Sequence, residues 1–373
     1  MNQNKTTSRE PLFHVVKRPE RSGRQMLLFR LGAVALSILA GGLFILAIGY
    51  NPIEIYGTIL NGAFRSKIAV QSTIKITIPL CISALGATLA FKMKVWNIGG
   101  EGQIIMGGVF ATYFALFHAD WPHLPLMIVC FLAGLIGGGV WGLIPALFKV
   151  KWNTNETLLT LMLNYIALYI ISWLQNGPWR DPAANGFPKI AAFAKSAVLG
   201  KVLGVQAGWI VMLVFTVLVW VYLKFTKQGY EVAVVGESQD TARYAGIHVK
   251  KVILRTMFLS GAIAGLMGFL VVSGADYTLN AGTSGGVGFT AIIVAWLAHL
   301  NPFAMVLIAA LLAVLTKGSN AIQTSFKIPA SAADVLSAII LFFMLGCEFF
   351  INYRLIFRRS GPAAPEKGGE GRE

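Results

Sequence analysis

Long apolar runs separated by short polar segments dominate this chain. A helix needs about 20 predominantly apolar residues to cross the ~30 Å hydrocarbon core of a bilayer. The pattern therefore predicts an all-α, polytopic membrane protein with about ten transmembrane helices. Their windows are 31–50, 72–91, 102–118, 124–148, 157–175, 207–225, 252–273, 286–300, 302–317 and 332–352. The eighth and ninth windows are short and separated only by Asn301-Pro302, so one broken element is the alternative there.

Composition supports the membrane class and argues against a nucleic-acid partner. The chain is 56% hydrophobic and only 13% charged, whereas soluble domains carry about 25% charged residues. The net charge is +15, but the basic residues gather at the edges of apolar runs instead of forming a basic domain. That distribution is typical of membrane topology signals. Cys81, Cys130 and Cys347 lie in apolar runs and are expected to be small buried hydrophobes, not a disulfide or metal framework.

The positions of the basic residues also predict orientation. With both termini in the cytoplasm, most of the 31 Lys and Arg residues fall on the cytoplasmic side. The predicted organisation is a basic cytoplasmic tail at 1–30, a transmembrane domain at 31–355 and a disordered cytoplasmic tail at 356–373. The transmembrane domain would consist of two halves, about 31–200 and 207–355.

A polar stretch near the second window is echoed later in the chain. NIGGEGQ starts at Asn97, and NAGTSGGVG starts at Asn280. Each is an Asn followed by a glycine-rich turn and an apolar run, and each follows the second helix of a predicted five-helix half. Because five is odd, the two copies would lie on opposite sides of the membrane, which predicts a 5+5 inverted-topology repeat. The alternative is a chance match in a chain with 40 glycines.

The glycine-rich stretch and its carboxylate give the first candidate functional residues. Irregular backbone at membrane depth is tolerated only against protein or a water-filled cavity, and an ionised side chain there is costly. Glu101 is therefore expected at the interface or in the bundle interior, with Asn97, Gln103 and the start of the third helix as donors. The candidate solute pathway comprises Asn97, Gly99, Gly100, Glu101, Gln103, Thr157, Thr160 and Asn164. The alternative is that Glu101 only caps its helix.

Polar residues also recur at helical spacing in the fifth window. They are Thr157, Thr160, Asn164, Ser172 and Gln175. Because lipid disfavours a polar face, this stripe is predicted to point inward, either for hydrogen bonds between helices or along a solute path. Other glycines have the small-xxx-small spacing of close helix packing, namely Gly134, Gly138 and Gly142 and the pair Gly261 and Gly265.

Two connections are too long to be simple turns. Residues 176–206 are predicted outside, as a structured loop that could receive a partner, and residues 226–251 inside. Within the inner connection, ESQDTARYAG predicts a short surface helix with Ser238 as N-cap, Asp240 in the first turn and Gly246 just beyond its end. Such an element is either a helix without a partner or a rigid lever for a partner protein.

No motif in the chain predicts catalysis. The phosphate-binding pattern G-x-x-x-x-G-K-[ST] is missing from the sequence, and no His, Cys or Ser arrangement predicts a metal site or a nucleophile. Asp334, Glu348 and His299 are expected at the membrane interface and are assigned no chemistry. The few intramembrane ionisable residues form no obvious proton relay, so an externally powered permease explains the inner connection better than ion-driven transport does. An ion-coupled secondary transporter or channel, and a membrane anchor or export component, are the alternatives from other classes.

Four segments carry a family resemblance. The chain resembles the membrane permease subunit of bacterial ABC importers in four segments. In chain order they are WNIGGEGQ, NETLLTLMLNYIA, GESQDTARYAGI and GGVGFTAIIVAWL. The resemblance is to the branched-chain amino acid, ribose and simple-sugar permeases, in particular their nucleoside and simple-sugar branch. It covers about residues 27–355.

The resemblance implies partners and a site for one of them. It implies a multi-pass protein of the bacterial cell membrane that works with a cytoplasmic ABC ATPase, a second permease chain that is related but different, and an extracytoplasmic substrate-binding lipoprotein. ATP would be bound by the ATPase, and this chain would need no cofactor. The coupling helix would comprise Glu237, Ser238, Asp240, Ala242, Arg243, Tyr244, Ala245 and Gly246. The loop departs from the EAA-type pattern of other importers, which leaves the individual contacts open.

The resemblance also suggests a solute. A purine nucleoside carried inward is the expected solute, and a simple sugar such as ribose or galactose is the alternative.

Overall fold

The computed structural model describes residues 13–17, 23–329 except 185 and 187, scattered positions between 331 and 346, and 353–357. The chain divides into two compact units, Met1–Pro52 with Asp334–Glu373, and Ile53–Ala333. In the smaller unit, strand β1 (Phe13–Lys17) pairs antiparallel with strand β4 (Tyr353–Phe357), and helix α1 (Gly23–Ala47) follows β1.

The predicted tails and the last window are only partly covered by the described residues. The predicted tail at 1–30 contains β1 and the first residues of α1, and the tail at 356–373 begins inside β4. Residues 358–373 lie outside the described residues, as do Asp334, Cys347 and Glu348 of the window at 332–352.

The remainder of the described chain is helical apart from its loops and one small hairpin; the longest connection, 176–206, contains this hairpin and a 3-10 helix at Lys195–Ala197. The hairpin strands are β2 (Lys201–Val202) and β3 (Val205–Gln206). The helices are α2 (Pro52–Phe64), α3 (Lys67–Lys92), α4 (Gly100–Phe117), α5 (His123–Trp152), α6 (Glu156–Asn176), α7 (Gly208–Phe225), α8 (Lys227–Glu237), α9 (Gln239–Tyr244), α10 (Val249–Val271), α11 (Val287–Leu297) and α12 (Pro302–Phe326). A π-helical turn, Val272–Asp276, extends α10.

Six helices of the described chain are long and apolar enough to cross a membrane: α3, α5, α6, α7, α10 with its π-helical turn, and α12. The predicted all-α membrane class is confirmed, whereas the count of ten spans and the 5+5 repeat are not. The eighth and ninth windows are two separate helices. Since α11 has 11 residues and a helix rises 1.5 Å per residue, it covers only about half of a ~30 Å hydrocarbon core.

Two helices, α2 and α8, occur where the sequence predicted connections. Each is short, with 13 and 11 residues, so neither could cross the hydrocarbon core alone. Thr226 starts α8 as a side-chain cap, because its hydroxyl accepts a hydrogen bond from the Gly229 N–H at 3.0 Å. Local capping chemistry thus helps to start α8 without a long apolar run.

Glycines bring α4, α5 and α10 into backbone contact at the centre of the larger unit. A Cβ atom on Gly138 would lie 2.7 Å from the backbone nitrogen of Gly265, and one on Gly142 would lie 2.7 Å from the Met257 carbonyl oxygen. On α4, Gly107 faces Gly265 at closer range still. The packing role predicted for the small-xxx-small glycines is therefore confirmed.

The larger unit has two ends that group the connections. At one end, here named the α9 end, Met93, Ala146, Val235, Ala242 and Val249 form a common buried cluster. At the opposite end, the 176–206 segment hydrogen-bonds to neighbouring helices. Its contacts include His123 Nδ1 with the Ser196 carbonyl at 2.8 Å and the Leu199 N–H with the Ser273 carbonyl at 2.7 Å. The two long connections thus lie at opposite ends of the bundle, as the sequence predicted.

Candidate functional site

The candidate site begins at the turn between α3 and α4, which is fixed by its own side chains. Asn97 Oδ1 accepts hydrogen bonds from the Gly99 N–H at 3.1 Å and from Gln103 Nε2 at 3.0 Å. Asn97 Nδ2 donates to Ser260 Oγ on α10 at 3.1 Å. Asn97 and Gln103 are buried, so this polar network holds the start of α4 against α10.

Two polar residues of α6 complete the hold on α4. Thr160 Oγ1 accepts from the Ile98 N–H at 3.3 Å. Asn164 Oδ1 accepts from the Gly102 N–H at 2.8 Å, while its Nδ2 donates to the Ile98 carbonyl at 3.0 Å. These bonds satisfy backbone groups that a helix start leaves unpaired. Both side chains are therefore committed to holding α4 in place.

The polar stripe of α6 is confirmed only where α4 crosses it. Thr160 and Asn164 are buried, and Thr157 is half-buried. Ser172 is exposed, contrary to the prediction, because the hydrogen bonds from α6 to the start of α4 end at Asn164. Gln175 is half-buried and donates from Nε2 to the Pro188 carbonyl at 2.6 Å. Helical spacing located the stripe but not the length over which a neighbour covers it.

Glu101 joins two helix starts that are far apart in sequence. Its Oε1 accepts the Gly288 N–H at 2.7 Å, and the side chain is buried. Glu101 lies in the first turn of α4, and Gly288 lies in the first turn of α11. A helix N-terminus carries about half a positive charge, so both helices favour a carboxylate here. Asn97 and Gln103, the predicted donors, bond to each other instead.

The close approach of the two helices requires glycine. A Cβ atom on Gly288 would lie 2.5 Å from the Glu101 nitrogen, and one on Gly100 would lie 3.4 Å from the Gly288 Cα. The two glycine-rich segments also share a local turn. Asn280 Oδ1 accepts the Gly282 N–H at 2.8 Å, as Asn97 Oδ1 accepts the N–H two residues further on. Both segments thus use an Asn side chain to shape the turn.

The segment before α11 exposes irregular backbone. Ala281, Gly282, Gly285 and Gly286 are exposed, and the last two have positive φ of 55° and 75°. At its other end, α11 reaches the turn after α3, where the ring of Trp296 stacks on Trp96 at 5.8 Å between centroids. Because α11 spans only about 16 Å at 1.5 Å per residue, its start lies well inside the membrane-spanning part of the bundle.

Exposed irregular backbone at that depth restricts what can cover it. Lipid tails cannot pair its N–H and C=O groups, so it must face water or another protein. The face formed by the exposed residues Ala281, Gly282, Gly285, Gly286 and Phe289 is therefore a candidate wall of a passage. We name it the α11 face.

The predicted surface helix at the α9 end is confirmed with its caps. The Ser238 hydroxyl accepts the Thr241 N–H at 3.2 Å, so Ser238 is the N-cap of α9. Gly246 has a φ of 74°, and the Ile247 N–H bonds to the Ala242 carbonyl at 2.9 Å. This is the Schellman arrangement that ends a helix with glycine in the left-handed region.

The predicted coupling residues differ in exposure. Ala242 is fully buried in the α9-end cluster, so it anchors the helix to the bundle. Tyr244 is 93% exposed, and Glu237 and Ala245 are also exposed. Asp240 and Arg243, likewise exposed, pair with each other at 2.9 Å. Tyr244 is therefore the large aromatic side chain that α9 leaves exposed.

The α8–α9 segment is firmly attached to the bundle. Glu231 and Arg255 form an ion pair at 3.0 Å between α8 and α10. Gly236 lies directly against the backbone carbonyl of Lys92 at the end of α3, with no room for a Cβ atom. A displacement of α9 would therefore act on the turn that leads to Asn97 and the start of α4.

Within the described part of the chain, no group of three or more His, Cys, Asp or Glu side chains could hold a metal ion. Cys81 and Cys130 are buried, as predicted, and are free cysteines, whereas Cys347 lies outside the described residues. Sequence reasoning missed Ser260 and the pairing role of Gly288. For Gly288 the GGVG pattern was a signal, whereas Ser260 gave none.

Comparison with known protein families assigns the chain to a family of transport permeases. Residues 69–345 match the family model described as branched-chain amino acid transport system / permease component. The chain belongs to this family. The chain is therefore the membrane subunit of an ABC transporter, and the resemblance seen in the sequence is confirmed.

Three relatives place it more finely. The chain is 33% identical to a guanosine ABC transporter permease of Bacillus subtilis, over 85% of this chain and 92% of the relative. It is 31% identical to a nucleoside ABC transporter permease of Lactococcus lactis, over 87% and 91%. It is also 31% identical to a glucose ABC transporter permease of Haloferax volcanii, over 91% and 95%. These relatives belong to the nucleoside and simple-sugar branch.

Proposed function

We propose that this permease subunit carries a purine nucleoside into the cell along the α11 face, driven by a partner ATPase at α9. The observation that carries the proposal is the exposed irregular backbone at Ala281, Gly282, Gly285 and Gly286, which ends beside the junction of Glu101 and Gly288. Backbone of this kind inside a membrane suits an aqueous passage. The guanosine and nucleoside names of two relatives support the solute class.

The candidate pathway residues divide into two roles in this proposal. Four of them hydrogen-bond to one another or to the start of α4, namely Asn97, Gln103, Thr160 and Asn164. They position the junction and do not reach the solute. The solute would meet the exposed backbone N–H and C=O groups of the α11 face, which can hydrogen-bond to ribose hydroxyls and base edges.

The proposed partners follow from the same surfaces. A cytoplasmic ATPase would receive α9, with Tyr244 as the central anchor. A second permease chain, related but different, would complete the passage opposite the α11 face. An extracytoplasmic binding lipoprotein would deliver the solute to the opposite end of the bundle, where the 176–206 segment lies. In this arrangement the α9 end faces the cytoplasm of a bacterial cell and ATP is hydrolysed only by the partner.

Uptake of labelled guanosine tests the solute and the coupling together. Cells that express the permease with its ATPase and binding lipoprotein should take up guanosine, and cells without the permease should not. Tyr244→Ala should lower copurification of the ATPase by about tenfold or more, the loss expected for an aromatic interface anchor. Uptake should fall in parallel, because α9 would no longer transmit closure of the ATPase.

The matched control is Tyr169→Ala, which removes a 74% exposed Tyr from α6, away from the α9 end. It should leave ATPase binding and uptake unchanged. If removal of the permease leaves guanosine uptake unchanged but abolishes uptake of ribose, galactose or glucose, the sugar alternative is supported. The glucose permease relative favours that alternative. Uptake that persists without the ATPase and stops when ion gradients collapse would support a secondary transporter.

A further inference from the structure

A large apolar groove in the larger unit is separate from the α11 face. Its volume is about 990 Å³, and it lies between α3, α7 and α12 near the start of α3. Two rim residues, Leu203 and Leu307, are 78% and 71% exposed. The groove therefore opens to the side of the bundle instead of being a closed internal cavity.

The polar residues that line the groove donate their hydrogen bonds within the protein. The hydroxyls of Thr73 and Thr77, the Gln71 amide and the Trp209 indole N–H each donate to a backbone carbonyl at 2.9–3.4 Å. The two Thr side chains are also buried. What these residues offer to an occupant is mainly hydrocarbon and ring surface.

Lys67 is the exception, because it is the one charged residue among the described residues that line the groove. It is exposed and makes no ion pair within the described part of the chain. The lining on α3 runs from Lys67 to Thr77, which is about 15 Å along the helix at 1.5 Å per residue. That length is about one leaflet, half of a ~30 Å hydrocarbon core.

We propose that this groove binds an acyl chain of a glycerophospholipid, with the lipid phosphate beside Lys67. A cation at one end and an apolar channel one leaflet deep match an amphiphile with an anionic head. A nucleoside would leave its hydroxyls unpaired against this lining, which costs free energy. The chemistry therefore separates this groove from the proposed solute passage.

Crosslinking from a labelled lipid tests the site. The whole permease, in nanodiscs of phosphatidylcholine, would receive a trace of phosphatidylglycerol with a photoreactive acyl chain, and crosslinked peptides would be mapped by mass spectrometry. Crosslinks should concentrate on α3 and α12 residues of the groove. Ala310→Phe, which fills the groove, should abolish them, whereas Ala304→Phe on the same helix but outside the groove should not.

The head-group contact has its own pair of variants. Lys67→Gln should reduce crosslinking at low salt by about fivefold, the effect of one Lys beside an anionic lipid. Lys75→Gln, on α3 but outside the groove lining, should not change it. The proposal is overturned if groove residues crosslink no more than exposed residues of α6, or if Ala310→Phe leaves the crosslinks in place. Competition of the crosslinks by guanosine would also overturn it, in favour of a solute site.

Discussion

Replacing Gly265 by leucine should leave little folded permease in the membrane. A Cβ atom at this position would lie 2.7 Å from the Gly138 Cα, and the Gly134 carbonyl is closer still. The obstacle is backbone of a neighbouring helix, which cannot rotate away as a side chain can. Overpacking a core costs about 1–3 kcal/mol even where side chains can adjust, so a larger loss is expected here. The yield of monodisperse protein and its midpoint of thermal unfolding in detergent measure the effect.

Gly57→Ala on α2 is the matched control. A Cβ atom there would meet nothing within 4 Å, and alanine is the better helix former by about 1 kcal/mol. This variant should fold as well as the unchanged protein or slightly better. Normal yield and thermal midpoint for Gly265→Leu would show that α4, α5 and α10 do not meet at this glycine core.

Glu101→Ala should destabilise the junction of α4 and α11 and stop transport. The substitution removes the acceptor for the buried Gly288 N–H, which Glu101 Oε1 holds at 2.7 Å. A hydrogen bond to a charged group contributes about 1.5–3 kcal/mol, so thermal unfolding should shift downward measurably. Guanosine uptake should fall more than stability alone explains, because the start of α11 forms part of the proposed passage wall.

Two variants separate the local role of Glu101 from general effects of losing a carboxylate. Glu101→Gln keeps an oxygen acceptor for Gly288 and should retain part of the stability and uptake. Glu54→Ala removes an exposed Glu in the first turn of α2 and should change neither. Full uptake by Glu101→Ala at normal expression would mean that the junction has no part in the solute path.

Features that depend on local chemistry could be predicted from the sequence. The ends of α9 follow from Ser238, which caps the first turn, and from Gly246, which adopts a positive φ that other residues rarely take. The close packing of α5 and α10 follows from glycines at four-residue spacing on one helix face. In both cases the residues that determine the structure are neighbours along the chain.

The junction itself could not be predicted in the same way. Glu101 and Gly288 are 187 positions apart, and which helix start supplies the donor depends on how α4 and α11 cross. Two donors close in sequence, Asn97 and Gln103, were the reasonable expectation, but they satisfy each other. An apolar window likewise could not distinguish a spanning helix from the half-length α11, because hydropathy does not reveal where the backbone leaves the helix.

Burial along a predicted face also depended on neighbours. The helical period of α6 correctly placed Thr160 and Asn164 on an inward face, yet Ser172 on the same stripe is exposed. The difference is the position of the glycine-rich turn, which offers unpaired backbone groups only to the first half of α6. A single sequence specifies the stripe, and the tertiary arrangement decides how much of it is used.

Cysteine accessibility on the α11 face tests most directly whether this face borders an aqueous passage. In a chain with Cys81, Cys130 and Cys347 replaced by alanine, Ala281→Cys and Phe289→Cys would be examined in the assembled transporter. Both should react with a charged, membrane-impermeant thiol reagent, and guanosine should slow the reaction. Leu132→Cys, at a 48% exposed position of α5, should react only with a lipid-soluble reagent. If Ala281→Cys and Phe289→Cys behave like this control, the α11 face meets lipid and the passage lies elsewhere.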